Sequence, residues 1–243
     1  MAATAKVNIV MPVYNEEAVL EKNINLLKNF LENNLAGYDW QIIIADNASQ
    51  DKTGAISKKL TTQEKIKYFF IPQKGRGLAL RRAFLENPGD FYLYMDIDLA
   101  TDLSAIPLML DYLSREKYDV VTGSRFVPGS KISRSFLRKI ISRGYIFIAQ
   151  KLLDTRLSDL QCGFKGINSN TVKNITPQVR DNQWFFDTEL MLLAEKNKCR
   201  LKEIPISWVE TRSLGRKSKV KLIKSIYQFL INLFRLRSRL KTN

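Results

Sequence analysis

The sequence contains no histidine, so it lacks the side chain that proteins use most often as a general base and as a zinc ligand. Only two cysteines are present, Cys162 and Cys199, which cannot form a zinc site alone and whose spacing matches no redox motif. Cysteine use of this kind favours a reducing, cytoplasmic setting. Imidazole chemistry is therefore excluded, and a zinc or redox site built on cysteine is not expected.

Acidic residues are few, with 24 against 39 lysines and arginines, which gives a formal net charge of +15 at pH 7. A charge of this size indicates anionic partners, such as phosphates, nucleic acid or an acidic lipid surface. The basic residues are concentrated in two blocks without acids, residues 126–145 and residues 211–243.

Long apolar runs are absent as well. No stretch approaches the roughly 20 apolar residues that a membrane-spanning helix needs. Residues 1–6 carry no apolar core of a signal peptide. We therefore expect contact with a membrane to be peripheral, on its cytoplasmic face.

Short apolar runs alternate with segments of helical periodicity in the first half of the chain. They predict strands over residues 7–11, 41–45, 66–71, 91–95 and 119–122, and helices over residues 16–33, 53–60, 77–86 and 106–113. Strands separated by helices predict an α/β fold with a mostly parallel, Rossmann-like sheet flanked by helices. We place this domain in residues 1–215, followed by a basic amphipathic C-terminal helix within residues 216–243.

Polar and charged side chains follow four of the predicted strands, where the apolar runs end. The groups are Tyr14-Asn15-Glu16, Asp46-Asn47, Lys74-Gly75-Arg76-Gly77 and Asp96-Ile97-Asp98. In open α/β sheets, ligands bind beyond the carboxyl ends of the strands. The pattern therefore predicts one ligand site built from these four groups.

Asp96 and Asp98 are the sharpest of these signals. In a strand, residues i and i+2 point to the same side, so the two carboxylates can share one hard cation. Mg²⁺ or Mn²⁺ takes few protein carboxylates together with phosphate oxygens, and would bridge the pair to a substrate diphosphate. An ordinary acidic turn is the alternative, and the three neighbouring polar strand ends favour the metal site.

Asp46 and residues 74–77 have two interpretations each. The Asp46 carboxylate can accept hydrogen bonds from a nucleobase, or it can form an Asx turn with the residues that follow. The glycines at 75 and 77 permit close backbone approach to a phosphate, and a simple basic turn is the alternative. No Gly-Lys-Ser/Thr ends this segment, so it is not a Walker loop.

Five short motifs occur in order along the chain: residues 11–17 (MPVYNEE), 45–49 (ADNAS), 74–77 (KGRG), the Asp96/Asp98 pair and 123–125 (GSR). Together they resemble family 2 glycosyltransferases with the GT-A fold. Farther on, residues 159–165 (DLQCGFK) and 184–190 (WFFDTEL) resemble the branch of dolichyl-phosphate glucosyltransferases and mannosyltransferases. The resemblance covers residues 7–237 and implies transfer of a hexose from a nucleotide-diphosphate sugar to a polyprenyl phosphate.

The resemblance also implies roles for the matching residues. Pro12, Tyr14, Glu16 and Asp46 are expected to bind the nucleoside, and Lys74, Arg212 and Lys219 to neutralise the donor phosphates. Asp96 and Asp98 are expected to hold Mg²⁺ or Mn²⁺ and the diphosphate. Arg125, Arg138, Ser142 and Arg143 are expected to bind the acceptor phosphate, and Asp187 and Glu189 to read the sugar or order the active-site loops.

The identity of the donor depends on smaller departures from the family pattern. Ala100 stands where the mannosyl branch commonly has a glutamine ligand, and residues 161–165 (QCGFK) resemble the glucosyl branch. UDP-glucose is therefore the expected donor, with GDP-mannose as the alternative. Asn47 replaces a second aspartate of many relatives, which leaves the choice of donor open.

The absence of histidine is compatible with a phosphate acceptor. Inverting transfer to a sugar hydroxyl needs a general base, whereas a phosphate monoester already carries about −1.5 to −2 charge at pH 7. Its site must supply placement and stabilisation of the leaving diphosphate, which arginines and a divalent cation can provide. Arg138, Ser142 and Tyr145 are spaced for one helix face in the first basic block, and a solvated basic helix is the alternative.

The basic tail, residues 217–240, has apolar residues at helical spacing with lysines and arginines at both ends. This composition suits the surface of an anionic membrane, and a helix packed on the domain is the alternative. Recruitment by a membrane-protein partner stays open.

Three rival functions remain. The first is a family 2 enzyme that acts on a cell-surface glycan, which would need a carboxylate base such as Asp187. The second is a nucleic-acid-binding protein, which is not expected because the basic blocks contain no binding motif that we identify. The third, a scaffold without catalysis, is disfavoured by the intact pair of aspartates.

Overall fold

The computed structural model describes residues 4–133, 136–209 and 222–241, with side chains for all of these except residues 136–138 and 222–226. The strands are β1 Lys6–Val13, β2 Asp39–Asn47, β3 Ile66–Ile71, β4 Phe91–Tyr94, β5 Val120–Ser124, β6 Lys131–Ser133, β7 Lys165–Asn168, β8 Leu201–Pro205 and β9 Ser207–Val209. The helices are α1 Leu20–Asn34, α2 Thr53–Leu60, α3 Arg76–Glu86, α4 Ala105–Ser114, α5 Phe136–Leu153, α6 Ser169–Asn174, α7 Phe186–Lys196 and α8 Leu222–Lys241. A 3₁₀ turn, Thr176–Gln178, connects α6 to α7.

Seven strands form the central sheet in the order β3-β2-β1-β4-β7-β5-β8. β1 pairs in parallel with β2 and β4, β2 with β3, and β5 with β8, whereas β7 runs antiparallel between β4 and β5. β6 and β9 pair in parallel as a separate two-stranded sheet. The mostly parallel α/β fold is thus confirmed, and the carboxyl ends of β1 to β4 lie side by side at one edge.

All strands and helices predicted for the first half of the chain are present, and α2 and β3 have the predicted bounds. Helix α1 begins at Leu20 rather than at residue 16, because the preceding residues form a turn that is bonded to the loop after β2. The backbone N–H of Asn15 donates to Ser49 Oγ at 3.0 Å, and that of Glu16 donates to Thr53 Oγ1 at 2.7 Å. Asn15 has a φ of 52°, outside the helical region.

Alternate residues of the central strands face two separate apolar cores, because successive side chains of a strand point to opposite faces of the sheet. Val10 of β1 belongs to the core that also contains residues of α3, α5, α7 and α8, whereas its neighbours Ile9 and Met11 belong to the core that contains residues of α1 and α4. All three residues are fully buried. Burial on both faces makes residues 9–13 of β1 a continuous apolar run, and the buried Asn8 before them donates to the Asn87 carbonyl.

Helix α8 packs on the domain through one face. Leu233 and Leu236 are buried, and the Phe229 ring lies 5.6 Å from the ring of Tyr145 in α5 and 6.1 Å from that of Phe185. This face of α8 therefore belongs to the domain core, whereas the expected boundary at residue 215 lies outside the described residues. Within the described part of the chain, no helix combines the length and the apolar character needed to cross a membrane.

Candidate active site

The loops that follow β1 and β2 are joined to each other at the carboxyl edge of the sheet. Asn15 Oδ1 accepts a hydrogen bond of 2.8 Å from the backbone N–H of Gln50. Pro12 is buried at the end of β1, and Tyr14 and Glu16 are half-buried in the turn that follows. The structure therefore brings these three predicted nucleoside-binding residues next to the loop that contains Asp46.

Asp46 is 1% exposed, and its carboxylate stabilises the turn that follows it. Its Oδ1 accepts from the backbone N–H of Ser49 at 2.9 Å, and its Oδ2 accepts from the Tyr68 hydroxyl at 2.9 Å. Burial and the hydrogen bond to Asp46 raise the pKa of Tyr68, so this hydroxyl stays a donor at neutral pH. The local turn expected as the alternative for Asp46 is present, and contact with a nucleobase stays a prediction.

Asn47, which stands where many relatives have an aspartate, uses both ends of its side-chain amide. Its Nδ2 donates to the Val13 carbonyl at 2.6 Å, and its Oδ1 accepts from the backbone N–H of Gly75 at 3.1 Å. An ionised aspartate could make the second bond but has no proton to donate in the first. The amide therefore links β1, β2 and the loop before α3.

Lys74 is exposed at the same edge and lies beside Tyr14. The Lys74 Nζ is 3.9 Å from the centroid of the Tyr14 ring, within the range of a cation–π contact. The Lys74 carbonyl accepts from Gln183 Nε2 at 3.3 Å. An exposed ammonium at this position is accessible to an anionic ligand beside the end of β2.

A buried arginine, Arg76, begins α3 at this edge, two residues after Lys74, which the family resemblance selected. Arg76 Nε and Nη2 donate to Asp96 Oδ1 at 3.2 and 2.9 Å, and Nη1 donates to Asp187 Oδ2 at 2.6 Å. Its side chain is 8% exposed. Burial opposes the charge, but Asp187 and Asp96 outweigh it and raise the pKa of Arg76. The glycines on both sides of Arg76 are the sequence signal that could have identified it.

Asp187 is the buried anchor of this network. Its Oδ1 accepts from the Tyr94 hydroxyl at 2.5 Å and from Lys165 Nζ at 3.2 Å, in addition to the bond from Arg76 to Oδ2. Burial alone would raise the pKa of Asp187, but the charges of Arg76 and Lys165 lower it below its usual value. The carboxylate is therefore ionised at neutral pH and bonded to two cations and one hydroxyl, and its expected role, to read the sugar or order the loops, stays a prediction.

Asp96 and Asp98 fit a divalent cation by their chemistry and position. Both follow β4 at the carboxyl edge, and the Asp96 side chain is 46% exposed although one oxygen is bonded to Arg76. The Asp98 Oδ1 accepts from the backbone N–H of Ala100 at 3.2 Å. Among the described residues, no group of three or more His, Cys, Asp or Glu side chains could hold a metal. A cation shared by two carboxylates would need further oxygens from a substrate.

Arg125 makes a buried ion pair with Asp159. Its Nε donates to Oδ2 at 2.7 Å and its Nη2 to Oδ1 at 2.8 Å, and its backbone N–H also donates to Oδ2 at 3.1 Å. Asp159 is fully buried, and the Arg125 side chain is 9% exposed. Arg125 thus connects the end of β5 to the loop after α5, and its predicted contact with the acceptor phosphate stays a prediction.

Helix α5 carries the other predicted acceptor residues. Ser142 is buried, Arg143 is exposed, and the Tyr145 hydroxyl donates to Thr188 Oγ1 at 3.1 Å. One face of α5 therefore packs towards α7 while Arg143 faces solvent. The Arg138 side chain, and Arg212 and Lys219 as a whole, lie outside the described residues.

Glu189 connects α7 to the C-terminal helix. It is 3% exposed, forms a salt bridge with Arg239 of α8 at 2.5 Å, and accepts from the backbone N–H of Asp181 at 2.8 Å. Asp181 in turn accepts from Asn232 Nδ2 at 3.2 Å. Glu189 therefore links the segment before α7 to α8 and lies away from solvent, and its expected role at the site stays a prediction.

Comparisons with known proteins show what the chain is similar to. The sequence model described as "Glycosyl transferase family 2" matches residues 8–176. The glycosyltransferase AglD of Haloferax volcanii is 33% identical over 209 residues, which is 85% of this chain and 34% of that protein. A dolichyl-phosphate beta-glucosyltransferase of Dictyostelium discoideum is 29% identical over 96% of this chain and 74% of its own length. A dolichol-phosphate mannosyltransferase of Pyrococcus furiosus is 29% identical over 95% of this chain and 63% of its own.

The chain thus spans about a third of the Haloferax relative and more than half of the other two. Among solved structures, glucosyl-3-phosphoglycerate synthase from Mycobacterium tuberculosis in complex with Mn²⁺, UDP and phosphoglyceric acid has a TM-score of 0.70. The match covers 96% of this chain and 79% of that one at 14% sequence identity, so it shows a shared GT-A fold. With the family model over residues 8–176, these findings show that the chain belongs to glycosyl transferase family 2.

Proposed function

We propose that this glycosyltransferase is an inverting, metal-dependent enzyme that transfers glucose from UDP-glucose to a polyprenyl phosphate at the cytoplasmic face of a membrane. The observation that carries the proposal is the Asp96/Asp98 pair, held at the edge where the loops after β1, β2 and β3 meet. The similarity to a dolichyl-phosphate beta-glucosyltransferase supports the sugar and the acceptor. The Mn²⁺ and UDP in the Mycobacterium structure are consistent with the metal and the nucleotide.

The donor would lie across the carboxyl edge of the sheet. Pro12, Tyr14, Glu16 and Asp46 would bind the nucleoside, Lys74, Arg212 and Lys219 would neutralise its phosphates, and Asp96 and Asp98 would hold Mg²⁺ or Mn²⁺. When bound, this cation supplies positive charge to the leaving diphosphate. The half-exposed carboxylate of Asp96 and the exposed ammonium of Lys74 are suited to these tasks.

The acceptor phosphate would be oriented by Arg125, Arg138, Ser142 and Arg143. One of its oxygens forms a bond to C1 of glucose from the face opposite the diphosphate, while the bond between C1 and the diphosphate oxygen breaks and UDP leaves. The phosphate needs no proton removed before it attacks, since it carries about −1.5 to −2 charge at pH 7. The products are a glucosyl phosphate lipid and UDP.

The state of Asp187 supports a phosphate acceptor over a sugar hydroxyl. A hydroxyl acceptor needs a base with an accessible lone pair. Asp187 is 4% exposed, is bonded to Arg76, Lys165 and Tyr94, and has a lowered pKa. Such a carboxylate is a weak base, which fits an acceptor that brings its own ionised oxygen.

Helices α5 and α8 offer a surface for peripheral docking on an anionic membrane. Ile140 and Phe147 of α5 are 52% and 59% exposed, and Tyr227 and Phe234 of α8 are 69% and 55% exposed. Neither helix contains an acidic residue, and α8 ends with Arg239 and Lys241 in its last turn. Exposed aromatic and aliphatic side chains among cations suit the interface of an anionic bilayer.

Product analysis with a panel of donors tests the proposed reaction. We expect a lipid-linked hexose from UDP-glucose and polyprenyl phosphate with Mg²⁺ or Mn²⁺, and at least about a hundredfold lower rate for Asp98→Asn. Asp111→Asn, at an exposed ion pair on α4, is the matched control and should keep the wild-type rate. Product from GDP-mannose alone would establish the mannosyl alternative, and no lipid-linked product with any donor would refute the proposal.

A further inference from the structure

Arg76 is held where it is by the two glycines beside it. A Cβ on Gly75 would lie 2.5 Å from the Asn182 carbonyl oxygen, and one on Gly77 would lie 2.7 Å from the Asp181 carbonyl oxygen and 2.7 Å from Phe186 Cβ. Only the absence of side chains lets the start of α3 run against the segment before α7. This close approach places the Arg76 side chain between Asp96, which follows β4, and Asp187 of α7.

The Arg76 guanidinium is shared by two carboxylates that lie far apart in sequence. Two of its nitrogens donate to Asp96 Oδ1, and the third donates to Asp187 Oδ2. Its Cζ lies 5.8 Å from the Tyr94 ring and 5.3 Å from the Trp184 ring, so aromatic faces restrict its plane. The guanidinium is thus bonded to protein carboxylates on two of its sides.

The opposite side of Asp96 is restricted as well. A Cβ on Gly163 would lie 2.5 Å from Asp96 Oδ2 and 3.1 Å from Arg76 Nη2. The glycine therefore leaves the space that this rotamer of Asp96 occupies. One oxygen of Asp96 accepts hydrogen bonds from Arg76 and the other lies against Gly163, while the Asp96 side chain remains 46% exposed.

We infer that Arg76 is a positioning residue, which fixes the Asp96 carboxylate against Asp187 so that Asp96 and Asp98 present their oxygens together to a divalent cation. The inference rests on the proposed donor site. Asp187 then acts as the fixed end of a bridge from α7 through Arg76 to Asp96. Nothing in this role requires Arg76 to touch the donor.

The sign of the effect on metal binding separates positioning from simple electrostatics. If Arg76 acted through its charge alone, Arg76→Gln would tighten Mn²⁺ binding, because a positive charge next to Asp96 would be lost, and Arg76→Lys would change nothing. If Arg76 positions Asp96, both variants weaken Mn²⁺ binding, since neither can make the forked contact with two carboxylates.

The experiment is a titration of Mn²⁺ into the full chain in the presence of UDP, followed by electron paramagnetic resonance or calorimetry. We expect Arg76→Gln and Arg76→Lys to raise the apparent Kd for Mn²⁺ by about tenfold or more, the effect of losing a hydrogen bond to a charged group. Binding of UDP without metal should change less than twofold. Arg82→Gln and Arg82→Lys, on the same helix at an exposed pair with Glu86, are matched controls.

The melting temperature is measured for each variant. If Arg76→Gln does not fold, Mn²⁺ binding is measured with Arg76→Lys and Gly163→Ala instead. Gly163→Ala should also weaken Mn²⁺ binding, because its Cβ would displace Asp96 from the opposite side. If a folded Arg76→Lys variant binds Mn²⁺ as tightly as the wild type or more tightly, the inference about Arg76 is wrong. The proposed function is not affected by that result. Failure of the wild type to bind Mn²⁺ with any nucleotide overturns the proposed function and this inference with it.

Discussion

The buried ion pair of Arg125 and Asp159 should contribute strongly to the stability of this protein. Asp159→Asn keeps the size of the side chain but removes the charge that balances a guanidinium only 9% exposed. Breaking a buried pair by neutralising one partner is destabilising by about 3–5 kcal/mol. Since a domain is stable by about 5–15 kcal/mol, this variant should lose a substantial part of its free energy of unfolding and remain folded near room temperature.

Urea unfolding followed by tryptophan fluorescence measures this effect. Arg125→Met should destabilise by a similar amount, because it leaves the fully buried Asp159 without its partner. Glu32→Gln, which removes the exposed pair with Lys28, is the control and should change the free energy of unfolding by no more than about 0.5 kcal/mol. A loss below about 1 kcal/mol for Asp159→Asn at an unchanged m-value would refute the reasoning.

The contribution of the Arg125–Asp159 pair to the free energy of unfolding should depend on pH. Burial opposes ionisation of Asp159, but Arg125 outweighs it and lowers the pKa of Asp159 below its ordinary value. The stabilisation is therefore fully present above the unfolded pKa of about 3.9 and is lost as the pH falls through the lower, folded pKa. The difference in stability between wild type and Asp159→Asn should shrink below about pH 4, and a difference that grows on acidification would contradict this assignment.

Three further predictions concern single side chains. Burial raises the pKa of the Cys162 thiol to about 12, so native protein should be alkylated by iodoacetamide at the half-buried Cys199 before Cys162, as peptide mass spectrometry would reveal. Gly77→Ala should destabilise strongly because its Cβ would meet backbone oxygens at 2.7 and 2.9 Å, whereas Gly144→Ala, in open space on α5, should stabilise by about 0.5–1 kcal/mol in the same urea assay. Phe234→Ser should reduce the amount of protein that sediments with vesicles containing anionic lipid, and binding of the wild type to these vesicles should fall with added salt. Equal binding by the variant would exclude this face of α8 as the membrane-binding surface.

Much of the fold follows from local pattern. Residues 53–60 and 66–71 form the predicted helix and strand, because the first has apolar residues at helical spacing and the second is a short apolar and aromatic run. The grouping of four polar strand ends also follows from sequence, since parallel strands deliver their carboxyl ends to one edge. Strand β7 is harder to predict, because its four residues include a glycine and lie antiparallel within an otherwise parallel sheet.

The sequence by itself determined the order of elements in the first half of the chain and the edge at which their polar ends meet, because these depend on spacing along the chain. Tertiary structure alone decided which charges meet. Arg76 and Asp187 are 111 positions apart, and Arg125 and Asp159 are 34 apart, yet each pair is buried together. A charge inside a protein must find an opposite partner, and which partner it finds depends on how distant segments pack. For that reason the resemblance could select Lys74, whereas the two carboxylate partners of Arg76, two residues later, depended on the fold.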